Sequence, residues 1–244
     1  MTTKFLNVNQ GTAEWLEIRR GRITASRMAD VVTELKRGGT SAGYRDYRLA
    51  LVAERLTGQC EENYVSPYMD WGTEYEPMAR AAYEVAFDVM VDRIGFAIHP
   101  EMDFAGASPD ALVGTDGVLE IKAPKTTTHL AWRLAGAVPE EYVPQMLWEM
   151  ECCERKWCDF VSFDPRLPDG IRLFCVRLDY NPELAATYRT KVTALNGEVE
   201  EMIAKLGGRS EFKEQLRQSV AIDPEMMITD ADLPAWAREM RETL

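Results

Sequence analysis

Asp110, Glu120 and Lys122 are the residues of this 244-residue chain whose types and spacing could do chemistry together. They lie in the stretch Ser108–Lys125, SPDALVGTDGVLEIKAPK, which reads as two short strands joined by a tight turn. Side chains alternate along a strand, so Glu120 and Lys122 project together while Leu119 and Ile121 face the core. Asp110 joins them only if the hairpin pairs residues whose numbers sum to an even value, such as Asp110 with Lys122 over a three-residue loop at Thr115–Gly117. The two-residue Asp116-Gly117 turn would put Asp110 on the opposite face. With the odd loop, Asp110 is diagonal to Glu120, roughly 7–8 Å backbone to backbone. Two carboxylates converging on one solvated face, with a lysine beside them, suit a hard divalent cation. A surface hairpin with merely solvated charges fits the same pattern, so the rest of the chain has to decide.

A second polar group sits near the N-terminus. Gly11–Arg19 reads as a short amphipathic helix with Thr12 as N-cap, and Ser26 could cap a further helix over Arg27–Val32. A hydroxyl and free backbone N–H groups at that helix start, with Arg19 nearby, would form an anion pocket. An ordinary cap beside a solvated arginine is the alternative.

Several elements must position these groups. Tyr44–Leu56 reads as a helix with Leu49, Val52, Ala53 and Leu56 inward and Gly58 just beyond its end. Gln59–Asp70 reads as irregular, leaving Met69 at a loop tip as a stray surface residue or a lid for the core. Thr73–Phe87 is helical if Pro77 lies in its first turn, which puts Glu76 at the helix start. Val89–Ile98 reads as one strand, and Met102–Ala107 leads into the hairpin. Thr126–Ala137 has helical character, and Pro139–Cys153 is a stronger helix with Gln145 in its first turn. Trp157–Phe163 and Ile171–Leu178 form strands, Pro182–Leu206 a long helix, and Gly207-Gly208 breaks the chain before a polar tail. Strands in the middle with helices before, between and after them indicate an α/β or α+β sandwich with a central mixed β-sheet flanked by helices. Residues 1–206 are expected to form one domain and 207–244 an extension.

The totals set limits. A hydrophobic share of 46% with 28% charged residues is ordinary for a globular chain. No apolar run approaches a membrane span, and the N-terminus lacks the apolar stretch of a signal peptide. Five cysteines without CxxC spacing predict buried thiols in a reducing cytoplasm rather than a disulfide framework or a zinc site. The net charge is −12, yet residues 1–60 carry ten Lys/Arg against six Asp/Glu. A basic quarter on an acidic body fits a localised phosphate-binding groove, although an asymmetry this small also fits chance.

The order Ser108-Pro109-Asp110, a turn, then Leu119-Glu120-Ile121-Lys122 resembles the core of the PD-(D/E)XK nuclease superfamily. Further segments fall in the order and spacing of the phage lambda exonuclease family, the YqaJ-type viral recombinases. These are Trp15–Arg19 with Gly21 and Ile23–Ser26; Trp71–Glu76 with Ala79-Arg80; Pro144-Gln145; and Asp164-Pro165-Arg166. The resemblance covers roughly residues 11–205. It implies a restriction-endonuclease-like fold and a Mg²⁺-dependent enzyme, with Mn²⁺ an alternative, that digests one strand of linear duplex DNA from a 5′ end. It also implies a homotrimeric ring and a single-strand annealing protein as partner. By position, Asp110, Glu120 and the Ile121 carbonyl match the metal ligands, Lys122 the lysine that orients the attacking water, and Glu76 a further active-site acid. Arg19, Ser26, Ser108 and Gln145 match the 5′-phosphate pocket, Met69 an apolar wedge that splits the duplex end, and Trp15 an aromatic that meets DNA. The wedge is leucine in the lambda protein. The tail beyond Gly208 departs from the pattern and inherits no role. A restriction-like endonuclease and a catalytically inactive DNA-end module are the alternatives on the same core.

Overall fold

The computed structural model describes residues 3–60, 67–208 and 212. In chain order its elements are β1 (Lys4–Leu6), α1 (Ala13–Arg19), β2 (Ile23–Thr24), α2 (Met28–Val32), α3 (Ala42–Thr57), α4 (Pro67–Phe87), β3 (Val91–Asp92), β4 (Phe96–Ile98), β5 (Ala105–Ala107), β6 (Ala111–Val113), β7 (Gly117–Lys122), α5 (Thr126–Ala135), α6 (Val143–Cys153), β8 (Trp157–Phe163), β9 (Leu173–Asp179) and α7 (Pro182–Lys205). Single 3-10 turns, Ala25–Arg27 and Glu140–Tyr142, precede α2 and α6.

The α+β class holds, with the strands divided between two mixed sheets. One has the order β1-β4-β5-β2, the other β3-β6-β7-β8-β9. The stretch Val89–Ile98, expected as one strand, is split between them: β3 pairs with β6, whereas β4 pairs with β1 and β5. Gly95 makes the break. Its amide bonds Leu6 O at 3.0 Å, and a Cβ there would run into the Val8 backbone.

Helix α6 lies at the centre. Met146, Leu147, Trp148, Glu149, Met150, Cys152 and Cys153 are all buried, as a helix covered on every side requires. It packs on β4 and β5 of one sheet and on β7 and β8 of the other. On the opposite face of the larger sheet, Ala79 and Tyr83 of α4 pack against Ala111, Leu119, Ile121 and Val161. The thiols of Cys152, Cys153 and Cys158 are free and buried, as expected.

Four further expectations change. Helix α4 begins at Pro67 rather than Thr73 and carries Pro77 in its interior. Pro77 is exposed, so water can satisfy the carbonyl that its missing N–H leaves unpaired. The backbone of Met69 therefore sits in the first turn of a helix instead of at a loop tip, and its side chain lies outside the described residues. Ser26 does not cap a helix; it falls within the 3-10 turn, and its hydroxyl accepts from Arg19. On α3 the inward residues are Tyr47, Leu51, Val52 and Arg55, while Leu49 and Leu56 are exposed. Arg55 is drawn inward by partners distant in sequence: Gly21 O at 2.9 Å, Glu200 at 2.9 Å, and the ring of Phe212, whose centroid lies 4.1 Å from the guanidinium carbon.

Candidate active site

The site begins with strand register. Strands β6 and β7 pair Ala111 with Leu119, Leu112 with Val118 and Val113 with Gly117, around the loop Gly114-Thr115-Asp116. The loop is odd, as the shared face requires, but the register is two residues from the one anticipated. One step further along it, Asp110 stands directly across from Glu120 instead of diagonal to it. Asp110 Oδ2 accepts the Ile121 N–H at 2.6 Å, which ties the first acid to the second strand.

The face is only partly solvated: Asp110 and Lys122 are half-buried, whereas Glu120 is buried. Leu119 and Ile121 point toward α4, so Val118 and Glu120 point toward α6. Glu120 is 1% exposed. Its Oε1 accepts from Lys122 Nζ and from Gln145 Nε2, the latter at 2.7 Å. The Lys122 ammonium also sits 5.1 Å from the Tyr142 ring centroid. Burial works against the charge on Lys122, but Glu120 and Asp110 outweigh it and raise its pKa above the ordinary lysine value. Asp110 is pushed well up by burial and by the negative charges of Glu120 and Glu76, against the pull of Lys122 and the Ile121 N–H. Glu76, on the inner part of α4, is paired with Arg80 one turn on.

Glu149 was missed in the sequence. It follows Gln145 by four residues on α6, is fully buried, and its Oε1 takes the Gln145 amide at 2.8 Å. Burial and the neighbouring Glu120 raise its pKa well above the usual carboxylate range. The i, i+4 spacing places the two side chains on one helix face and was the available signal.

Crowded carboxylates beside one ammonium form a site short of positive charge, and the donors are hard oxygens. That combination fits Mg²⁺ or Mn²⁺ better than zinc. Among the described residues no three His, Cys, Asp or Glu side chains converge on one ion position. A cation here would rest on Asp110, Glu120 and a backbone carbonyl such as that of Ile121, with water or phosphate oxygens completing its shell.

The second polar group assembles as well. Arg19, in the last turn of α1, donates to Ser108 Oγ at 3.1 Å and to Ser26 Oγ at 3.2 Å. Trp15, one turn earlier, donates from its indole to Ser108 Oγ at 2.9 Å and Gly95 O at 3.1 Å, and its ring supports the Arg19 guanidinium at 4.2 Å. Thr12 caps this helix by accepting the Trp15 amide. The parallel pairing of β2 with β5 brings Ser26 toward Ser108. Behind them opens a cavity of about 130 Å³ lined by Arg19, Arg20, Arg22 and Arg27, with Glu54 as its acidic residue. Burial lowers the pKa of Arg22 to about 10, still high enough to keep it charged at neutral pH. Gln145 bonds the carboxylates of the first group rather than these serines.

Two motif segments that are far apart in sequence also meet. Asp164 is fully buried, holds Arg166 through both carboxylate oxygens, and accepts the Thr126 hydroxyl at 2.6 Å. The Arg166 guanidinium lies 4.5 Å from the Trp71 ring, which in turn packs on Tyr75 at 4.2 Å. This stack joins the β8–β9 connection to α4 one turn ahead of Glu76.

Among curated proteins none matches the chain. Solved structures do. The chain is 42% identical to the alkaline exonuclease LHK-Exo in its complex with dAMP, covering 80% of this chain and 96% of that one with a TM-score of 0.75. To another structure of LHK-Exo, from Laribacter hongkongensis, it is 39% identical over 87% of this chain and 100% of that one, again with a TM-score of 0.75. A phage-related exonuclease from Haemophilus somnus 129PT shares the fold at 16% identity and a TM-score of 0.60, over 76% of this chain and 96% of that one. The YqaJ-like viral recombinase domain matches residues 14–156, a span that contains both polar groups. With that domain matched over more than half its length, the chain belongs to the YqaJ-like viral recombinase family, the lambda exonuclease group of nucleases.

Proposed function

We propose that this protein is a metal-dependent exonuclease that degrades one strand of linear double-stranded DNA in the 5′-to-3′ direction, leaving 3′ single-stranded overhangs for recombination by strand annealing. The observation that carries the reading is the junction Ser108-Pro109-Asp110. Within three residues it links an arginine-lined anion pocket, through Ser108, to a carboxylate–lysine centre, through Asp110. An enzyme that grips a terminal phosphate and cuts the neighbouring phosphodiester needs those two sites side by side.

Asp110, Glu120 and the Ile121 carbonyl would hold Mg²⁺ or Mn²⁺. Such an ion supplies charge neutralisation at the scissile phosphate and lowers the pKa of water. Lys122 donates a hydrogen bond to the attacking water and offsets the negative charge that develops on the phosphate. Glu76, with Arg80, borders the centre as a further acid. Arg19, with Ser26 and Ser108, holds the terminal 5′-phosphate through the guanidinium fork, and Trp15 keeps that fork in place. Gln145, matched to the phosphate pocket by position, instead holds the Glu120 carboxylate of the metal centre. Met69, at the start of α4, is the proposed wedge at the duplex end. The complex of LHK-Exo with dAMP supports this assignment, since a deoxynucleoside monophosphate is what an exonuclease releases. A homotrimeric ring and a phage-type annealing partner belong to the same proposal. A basic lining inside a ring would also reconcile DNA binding with a net charge of −12.

The test is digestion of linear duplex labelled separately at its 5′ and 3′ termini, with and without Mg²⁺. The expected result is early release of the 5′ label as mononucleotide, with the 3′ label retained on a shortening duplex, and no release without the metal. Cutting of a closed circle would instead indicate an endonuclease, and no release under any metal would indicate an inactive DNA-end module.

A further inference from the structure

The proposed mechanism leaves one buried polar group at the centre without a task. Glu149 is 0% exposed, and its Oε2 has no hydrogen-bond partner among the described residues. The neighbouring helix positions Met146, Leu147 and Met150 fill the same buried layer with apolar side chains. Packing alone therefore does not call for a carboxylate here, and an unpaired buried carboxylate oxygen carries a substantial desolvation cost.

Its geometry points to Glu120. A primary amide nitrogen carries two N–H groups, and Gln145 Nε2 divides them: 2.7 Å to Glu120 Oε1 and 2.8 Å to Glu149 Oε1. Lys122 approaches the same Glu120 Oε1. Both donors thus converge on one oxygen of Glu120, which leaves Oε2 for a cation.

We propose that Glu149 is a positioning residue of the metal centre: acting through the Gln145 amide it orients the Glu120 carboxylate, and it strengthens divalent-cation binding without ligating the ion. The inference rests on the reading of Asp110 and Glu120 as metal ligands.

The experiment is calorimetric titration of Mn²⁺ into the full-length protein, comparing wild type with Glu149→Gln, Gln145→Leu, the double variant and Glu120→Gln. Partners that orient a metal ligand typically contribute 10- to 100-fold in affinity, so Glu149→Gln is expected to weaken Mn²⁺ binding at least about tenfold. Glutamine keeps the shape and replaces one carboxyl oxygen with an amide N–H group, so thermal unfolding without metal should change little. Cleavage should return to within a few-fold of wild type when Mn²⁺ is saturating. Gln145→Leu, which cuts the tether and leaves Glu149 in place, should also weaken binding. The double variant should then be no more than about twofold worse than the weaker single one, as residues in one chain of contacts require. If glutamine at 149 prevents folding, Gln145→Leu still decides: undiminished Mn²⁺ affinity in that variant overturns the inference. So does an affinity within twofold of wild type for Glu149→Gln while Glu120→Gln abolishes binding. If Glu120→Gln also leaves Mn²⁺ binding unchanged, the metal centre itself is wrongly assigned.

Discussion

Ser108 and Asp110 are two residues apart and serve different sheets. The Ser108 hydroxyl, at the end of a strand in the smaller sheet, accepts from Arg19 at 3.1 Å, whereas the Asp110 carboxylate accepts from Ile121 in the larger sheet at 2.6 Å. Pro109 between them is tied down through its carbonyl, which accepts from Gln10 at 3.0 Å. The distance from the arginine-lined pocket to the carboxylate centre is thereby set by one short, anchored segment.

Replacing Lys122 should separate binding from chemistry. Lys122→Ala is expected to bind linear duplex within a few-fold of wild type and to lose at least about 100-fold in nucleotide release, the usual cost of removing one well-placed donor. Mobility shift and release assays on the same protein check it. Near-normal release would take the lysine out of the mechanism.

Arg19 should govern end preference. Arg19→Ala is expected to bring the rate ratio between 5′-phosphorylated and 5′-hydroxyl duplex close to one. Arg19→Lys should recover little of it, because an ammonium cannot bridge Ser26 and Ser108 as the fork does. An unchanged ratio in the alanine variant would dismiss the phosphate role.

Gly21 should tolerate a side chain worse than Gly58, although both adopt left-handed backbone conformations, at φ +70° and +66°. A Cβ at Gly21 would lie 2.9 Å from Arg55 Cγ and 2.9 Å from the Phe212 ring, whereas at Gly58 nothing lies within 4 Å. Gly58→Ala should cost about 1 kcal/mol from the backbone alone, and Gly21→Ala about 2–4 kcal/mol once overpacking is added. Chemical denaturation of the two variants provides the comparison; equal losses would mean that the Arg55–Phe212 contact exerts no constraint.

Acid should loosen the β8–β9 connection. Arg166 and Thr126 hold the Asp164 pKa down to about 2 despite burial, below the 3.8 of a free aspartate. Folded-state pKa lies below unfolded-state pKa, so the contribution is complete above about pH 4 and is lost as pH falls toward 2. Glu151, lowered to about 2 by His99, Tyr180 and Arg189 against its own burial, behaves likewise. Asp164→Asn should lower Tm at pH 7 and flatten, without abolishing, the decline in Tm between pH 4 and pH 2. A variant whose decline matches wild type would show that Asp164 is not a source of it.

Much of this arrangement was legible in the chain. The odd hairpin loop followed from requiring Asp110, Glu120 and Lys122 on one face, and the Thr12 cap, the Gly58 stop, α6 and α7 followed from capping chemistry and periodicity. What was hidden depends on contacts distant in sequence. The exact register is set by β7 pairing with β8 and by Asp110 binding the Ile121 amide, neither of which alternation reveals. Glu149 sits in a helix buried all round, where periodicity cannot say which side a polar residue faces. Arg55 looks like a surface residue until Glu200 and Phe212 arrive beside it. Pro77 suggested a helix start because an interior proline forfeits a hydrogen bond, and at an exposed position water makes that loss tolerable.

The Phe212 ring is 2% exposed and closes over a turn at Gly21, whose flanking Arg20 and Arg22 line the arginine-rich cavity. The partner of this early turn is therefore encoded far downstream of it. A nascent chain still short of that phenylalanine has this turn uncovered, so the arginine-lined cavity is completed late in translation, after both sheets have been synthesised.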